Sequence, residues 1–120
     1  MNAARTLDLF EFRRYQGGSV LYSNPDLNGV LGAAEVVIVH LIISDSSGSP
    51  DLKIFVDDSP DNENWTEISA EELIEAVGSM PGTYRGVLDA YHGRFLRFRI
   101  ASLGSGNSVT FTVRASLKNR

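Results

Sequence analysis

The sequence predicts an all-β protein, an antiparallel β-sandwich of jelly-roll type. It has seven or eight short strands and at most one short helix near residues 70–77. Three observations carry that expectation. Val36–Ile43 is apolar at every position but His40 and mostly β-branched, and branched Cβ atoms suit a pleated strand while crowding a helical turn. Phe95–Ser102 and Ser108–Lys118 alternate apolar and polar side chains, the period of a half-buried strand. Turn residues recur about every 8–12 positions, the spacing of sandwiches and jelly rolls.

Taken in order, Thr6–Tyr15 shows a muddled alternation. Leu7 and Leu9 share a face with Glu11, and Phe10 and Phe12 share the other with Asp8, which suits an edge strand or an N-terminal arm. Gln16-Gly17-Gly18 ends it, and Ser19–Tyr22 is a short second strand. Asn24-Pro25-Asp26-Leu27-Asn28-Gly29 is turn chemistry, since Pro fixes φ and Asn-Gly accepts positive φ. In the central strand, Val37, Val39, Leu41 and Ile43 face one way, and Val36, Ile38, His40 and Ile42 the other. Both faces are greasy, so this strand belongs in mid-sheet with cover on both sides. A second sheet covers one face, and a neighbouring subunit, loop or helix the other.

After the polar loop 45–50, Leu52–Asp58 places Leu52, Ile54 and Val56 on the core face and Lys53, Phe55 and Asp57 outward. The turn at 59–64 leads to Trp65–Ile68, with Trp65 expected to fold back over its hairpin. Ser69–Val77 is the helical candidate. Ser69 is its N-cap, Glu72 completes a capping box, Leu73, Ile74 and Val77 form the stripe, and Gly78 ends it. An extended path is the alternative, because two turns persist only when packed. Thr83–Leu88, Phe95–Ser102 and Ser108–Lys118 complete the strands, and Gly104-Ser105-Gly106-Asn107 joins the last two as a hairpin. Leu96, Phe98 and Ile100 share a core face, as do Val109, Phe111, Val113, Ala115 and Leu117.

The 120 residues suit one domain, 1–120, with 1–12 as the arm or edge strand. The absence of cysteine removes disulfides and thiolate zinc sites. No apolar run approaches the roughly 18–20 residues of a membrane span. The N-terminus lacks the apolar core of a secretory signal, and the expectation is a soluble protein made in the cytoplasm. The net charge of −4 argues against a nucleic-acid binder. Charge is segregated: residues 1–44, 45–84 and 85–120 carry −1, −9 and +6. The last two stretches either neutralise each other within the fold or form patches that steer copies together.

No catalytic signature emerges. His40 reads as a core or interface residue and His92 as a solvated turn residue. The serines lie in loops without a nucleophile elbow, and Gly104-Ser105-Gly106 lacks the helix and lysine of a phosphate loop. The chain is therefore read as non-enzymatic, with no cofactor and no metal assigned. Asp57, Asp58, Asp61 and Glu63 are the carboxylates that could hold calcium, although their spacing does not match an EF-hand loop and a solvated acidic turn is the preferred account. Trp65, Tyr84 and Tyr91 are the rings available for a glycan platform.

Two segments carry a resemblance. Ile54–Ile68 is similar to a hydrophobic strand followed by Ser-Pro-Asp-Gly-x-x-Trp and a second strand, with Asn62-Glu63-Asn64 where the turn glycine falls. Gly93–Ile100 resembles the Arg-aromatic-aliphatic-Arg strand that follows. Both patterns occur in discoidin-like and galactose-binding-like jelly rolls, and in small β-sandwich proteins of tailed bacteriophages, among them capsid decoration (cement) proteins. Gly104–Leu117, a Gly/Ser hairpin running into a Val-x-Phe-x-Val strand, matches the phage-type proteins. The chain is shorter than the sugar-binding relatives and, unlike them, free of cysteine and a secretion signal.

The resemblance implies a virion structural protein that binds the outside of an icosahedral shell as a homo-oligomer, a trimer at first guess. It would clamp subunits of the major capsid protein or another shell protein. Such a protein works in the virion, with neither nucleic acid nor membrane as partner. The expected contacts are Leu7, Leu9, Phe10 and Phe12 of the arm and a basic face of Arg97, Arg99 and Arg114. A carbohydrate- or ligand-binding module is the alternative, and a tail, baseplate or neck component another.

Overall fold

A computed structural model describes residues 5–26, 29–68, 71–89, 92–101 and 103–119. The expected Ser69 cap, Tyr91, Leu27-Asn28 of the first turn, and Asn2 to Ala4 of the arm lie outside them. Among the described residues are nine strands: β1 (Arg5–Gln16), β2 (Leu21–Tyr22), β3 (Val36–Ser47), β4 (Leu52–Ser59), β5 (Thr66–Glu67), β6 (Ile74–Ala76), β7 (Gly82–Leu88), β8 (Phe95–Ile100) and β9 (Ser108–Lys118). They form two antiparallel sheets. Sheet A has the order β1-β9-β3-β7, and sheet B the order β2-β8-β4-β5, with β6 also paired to β4. The first strand pairs with the last, β2 with β8, and β3 with β7, while β4 takes β5 and β6. A long hairpin wound on itself in this way is a jelly roll.

The strand count exceeds expectation because β6 lies where the helix was expected, beside the expected β5. β5 pairs with Asp57 and Asp58 of β4, and β6 pairs with Leu52 to Ile54 further along the same strand. β6 also corrects the helix expected over 69–77. Ile74 and Ala76 are buried while Glu75 between them is exposed, an alternation with the strand period. The Leu73 N–H donates to the Ile54 carbonyl at 2.7 Å. A two-turn helix loses to this path because β4 supplies ladder partners and a core for Ile74. Gly78, with φ of 66°, serves a 3-10 turn at Val77–Ser79.

The core lies between the sheets. Val37, Val39, Leu41 and Ile43 of β3 and Val109, Phe111, Val113, Ala115 and Leu117 of β9 point inward from sheet A. They meet Leu52, Ile54 and Val56 of β4 and Leu96, Phe98 and Ile100 of β8. The faces of β4, β8 and β9 are those expected from the alternation, and of the two apolar faces of β3 the one with Val37, Val39, Leu41 and Ile43 is the inner one. Tyr15 stacks on Phe111 with ring centroids 4.4 Å apart, and Phe10 meets Tyr15 edge-on at 5.8 Å.

β1 explains its own muddled pattern. Its register against β9 slips by one residue between Asp8 and Phe10 and again between Phe10 and Arg13. Each slip is a bulge that re-aims the side chains after it. Leu9 and Phe10, neighbours in sequence, are therefore both in the core, at 2% and 3% exposure. Asp26 pins the loop before β3: its buried carboxylate accepts from the N–H groups of Leu31, Gly32 and Leu96 at 2.7, 3.1 and 3.0 Å. Gly32 is required there, because a Cβ would fall 1.7 Å from the Arg94 carbonyl oxygen.

Candidate functional site

Each sheet has an outer face, and the two differ in chemistry. On sheet A, the residues opposite the core side of β3 are Val36, Ile38, His40 and Ile42. Strand register lays out their neighbours. Ile38 lies between Ser116 and Val87, His40 between Arg114 and Arg85, and Ile42 between Thr112 and Thr83. Ile42 is 37% exposed and Val87 44%, while Val36, Ile38 and His40 are half-buried. The greasy second face of the central strand is thus present, and it is open. The expected cover on that side does not come from this chain's described residues. Arg114 on this face sits 3.2 Å from Asp8.

The outer face of sheet B is closed over a charge. Asp57 points away from the core, as the alternation requires, yet it is only 2% exposed. Arg97, its direct partner on β8, donates through Nε and Nη2 to Oδ2 at 3.1 and 2.9 Å. Arg99 donates through Nε to Oδ1 at 3.0 Å and through Nη2 to Glu67. Burial pulls the Arg99 guanidinium down, but its bonds and charges with Asp57, then Glu67, outweigh this and leave it above the ordinary arginine value. Part of the segregated charge is neutralised here, acidic residues of 45–84 meeting basic ones of 85–120.

The guanidiniums also meet rings. Arg99 lies over Phe55 at 4.8 Å, and Arg97 lies between Tyr22 at 4.3 Å and Trp65 at 4.5 Å. Trp65 is half-buried and packs on Arg97 at the rim of sheet B, where the sequence suggested a cover for its own hairpin. Tyr22, Asn24, Pro25, Asn62, Trp65 and Arg97 border an open cleft of about 300 Å³. Tyr84, another expected platform ring, packs against the core and donates its hydroxyl to the Met80 carbonyl at 2.7 Å.

The expected contact residues separate. Leu9 and Phe10 belong to the core and cannot touch a partner while the sheet is intact. Leu7 is half-buried against that core, and Phe12 is 60% exposed. Arg97 and Arg99 lie on sheet B and Arg114 on sheet A, so the three do not form one basic face. Two adjacent strands look alike in sequence whichever sheet they join, and only the pairing separates them.

The carboxylates considered for calcium have other partners. Asp57 is taken by arginines. Asp58 accepts from the Gly93 N–H at 2.6 Å. Asp61 accepts from the N–H groups of Glu63 and Asn64 at 2.9 and 2.8 Å and from the Asn64 amide at 2.6 Å. Those bonds from Asn64 and Glu63 hold the Asp61 carboxyl far below the usual carboxylate range. Among the described residues no three carboxylates or histidines gather into a metal-binding group. His92 differs from the solvated residue expected. Its Nδ1 lies 2.9 Å from the Gly93 carbonyl oxygen and its Nε2 3.1 Å from that of Ala34, tying two loops together. His40 and His92 do not share a site.

Among the described residues no helix is long and apolar enough to cross a membrane. No protein-family model and no curated protein matches the chain.

Proposed function

We propose that this chain is a non-enzymatic structural protein of a phage-like virion, a decoration protein that binds the outside of an icosahedral shell as an oligomer and clamps neighbouring capsid subunits. The observation that carries the reading is the open outer face of sheet A, where the pair Ile38–Val87 and, beyond the row Arg85–His40–Arg114, the exposed Ile42 set apolar side chains on both sides of a cationic row. Singly exposed apolar residues are ordinary, but apolar groups flanking arginines on one sheet face suit a docking surface. The jelly-roll order and the resemblance of Ile54–Ile68 and Gly93–Ile100 to phage-type sandwiches agree with this reading.

Deleting residues 1–12 is a poor test, because it removes most of β1 and two core residues with it. Point changes on the sheet A face are cleaner. Wild-type protein is expected to pellet with empty shells assembled from the major capsid protein of the same particle, and the Ile42→Glu/Val87→Glu double variant to stay in the supernatant. Failure of the wild type to pellet, or equal pelleting of the variant, removes the reading. Analytical ultracentrifugation reads the oligomer, with a trimer expected.

A further inference from the structure

We infer that the cleft between residues 22–25 and 62–65, on the rim of sheet B, binds a neutral pyranose unit of a glycan. The site is separate from the sheet A patch, and the inference stands apart from the shell-binding reading. Its volume, about 300 Å³, is at the lower end of small-molecule sites and suits one sugar ring. A pyranose offers two surfaces, a face of C–H groups and a belt of hydroxyls. The cleft offers a counterpart to each.

Tyr22 and Trp65 each give one ring face to Arg97, and Tyr22, still 51% exposed, supplies aromatic surface for the C–H face beside the half-buried Trp65. Asn62, Arg97 and Asn24, whose amide nitrogen also donates to the Asp8 carbonyl at 3.1 Å, supply amide and guanidinium groups for the hydroxyls. Amides both donate and accept, which is what vicinal hydroxyls need. Two of the five N–H bonds of Arg97 go to Asp57, and its side chain lines the cleft.

The parts are fixed in advance. Arg97 is held by Asp57 below and by a ring on each side. Asn62 has a φ of 64°, and its N–H donates to the Ser59 hydroxyl at 2.9 Å in the turn that Asp61 closes. Little ordering is left for a ligand to induce, and preorganisation of this kind favours affinity for a small, polar ligand. Charge selects the class. Arg97 and Arg99 are balanced by Asp57 and Glu67, so the cleft holds no uncompensated cation to attract an anionic sugar.

Trp65 is the single tryptophan of the chain, so its emission reports on the cleft directly. The experiment titrates the protein with methyl glycosides of glucose, galactose, mannose and N-acetylglucosamine, with glucuronic acid as the anionic comparison, and applies labelled protein to an array of neutral glycans. A saturable change in Trp65 emission with at least one neutral glycoside, or binding to a neutral array glycan that shifts that emission, is expected. Tyr22→Ala should weaken the response about tenfold, one lost ring contact. Tyr22 lies on an exposed edge, and an unchanged circular dichroism melt establishes that the variant is folded. Three results overturn the inference: no neutral glycoside or glycan altering Trp65, a response that Tyr22→Ala leaves unchanged, or a response to glucuronic acid alone. None of them bears on shell binding through sheet A.

Discussion

On the outer face of sheet B, a carboxylate is roofed by two guanidiniums and the guanidiniums by rings. On the outer face of sheet A, isoleucine and valine stand toward water with arginines beside them. Both faces come from strands that alternate in the same way, so alternation does not decide their character. Cross-strand pairing does. Asp57 meets Arg97 because β4 and β8 are neighbours in that register, whereas Ile38 meets Val87 across β3 and β7. Sheet B satisfies itself. Sheet A leaves Ile42 and Val87 exposed on its outer surface.

The largest test of this contrast is Asp57→Ala. Removing one partner of a buried ion pair costs about 3–5 kcal/mol, and the lower end, about 3 kcal/mol, is expected here because both arginines reach water. Urea denaturation reads the loss. A change under about 1 kcal/mol would mean that the network is a surface ornament and that the two faces are alike. The Ile42→Glu/Val87→Glu variant is the counterpart. Its stability should stay within about 1 kcal/mol of wild type, since neither side chain is fully buried and exposed substitutions cost little each. A collapse of stability would place those residues in the fold and out of the docking surface.

The smallest effect concerns the acidic turn beside the closed face. Asp61 has its carboxyl held far below the ordinary range by the Asn64 and Glu63 bonds. A lowered folded value means that the stabilisation is complete above the unfolded carboxylate pKa, about 4, and is lost as pH falls toward the folded value. The Tm gap between wild type and Asp61→Asn should therefore be full at pH 6, begin to narrow below about pH 4, and close only in much stronger acid. A gap independent of pH would show that ionisation of Asp61 does not support the turn.

How far the sequence foretold these features depends on how local each one is. The core faces of β4, β8 and β9 are legible directly, because a period of two needs only neighbouring residues, whereas β3 shows two apolar faces and only sheet pairing decides which is inner. β1 is not legible, since its two bulges put consecutive residues on one side and no residue type marks a bulge. β6 was read as a helix because Ser69, Glu72 and a Leu-Ile-Val stripe satisfy helical rules, and the partner that makes it a strand lies some twenty positions earlier. The Asp57 network joins residues about 40 apart and depends on register. Trp65 was placed on its hairpin because Arg97, its actual neighbour, is brought there by sheet pairing. The signal that could have found it was the Arg-x-Arg of Arg97 and Arg99 facing the same way as Asp57, two alternating strands with opposite charge.

The pairing of β1 with β9 has a consequence for biogenesis. Sheet A needs its interior strand from the far end of the sequence, so a ribosome must synthesise through Lys118 before the sheet can close. Until then Phe10, Val37 and Leu41 lack their β9 neighbours Val113 and Leu117. Architectures dominated by such distant pairings fold on the millisecond-to-second scale, and the waiting intermediate exposes apolar strands that invite aggregation. Yield on expression should therefore respond to temperature and chaperone supply more sharply than the stability of the finished protein suggests.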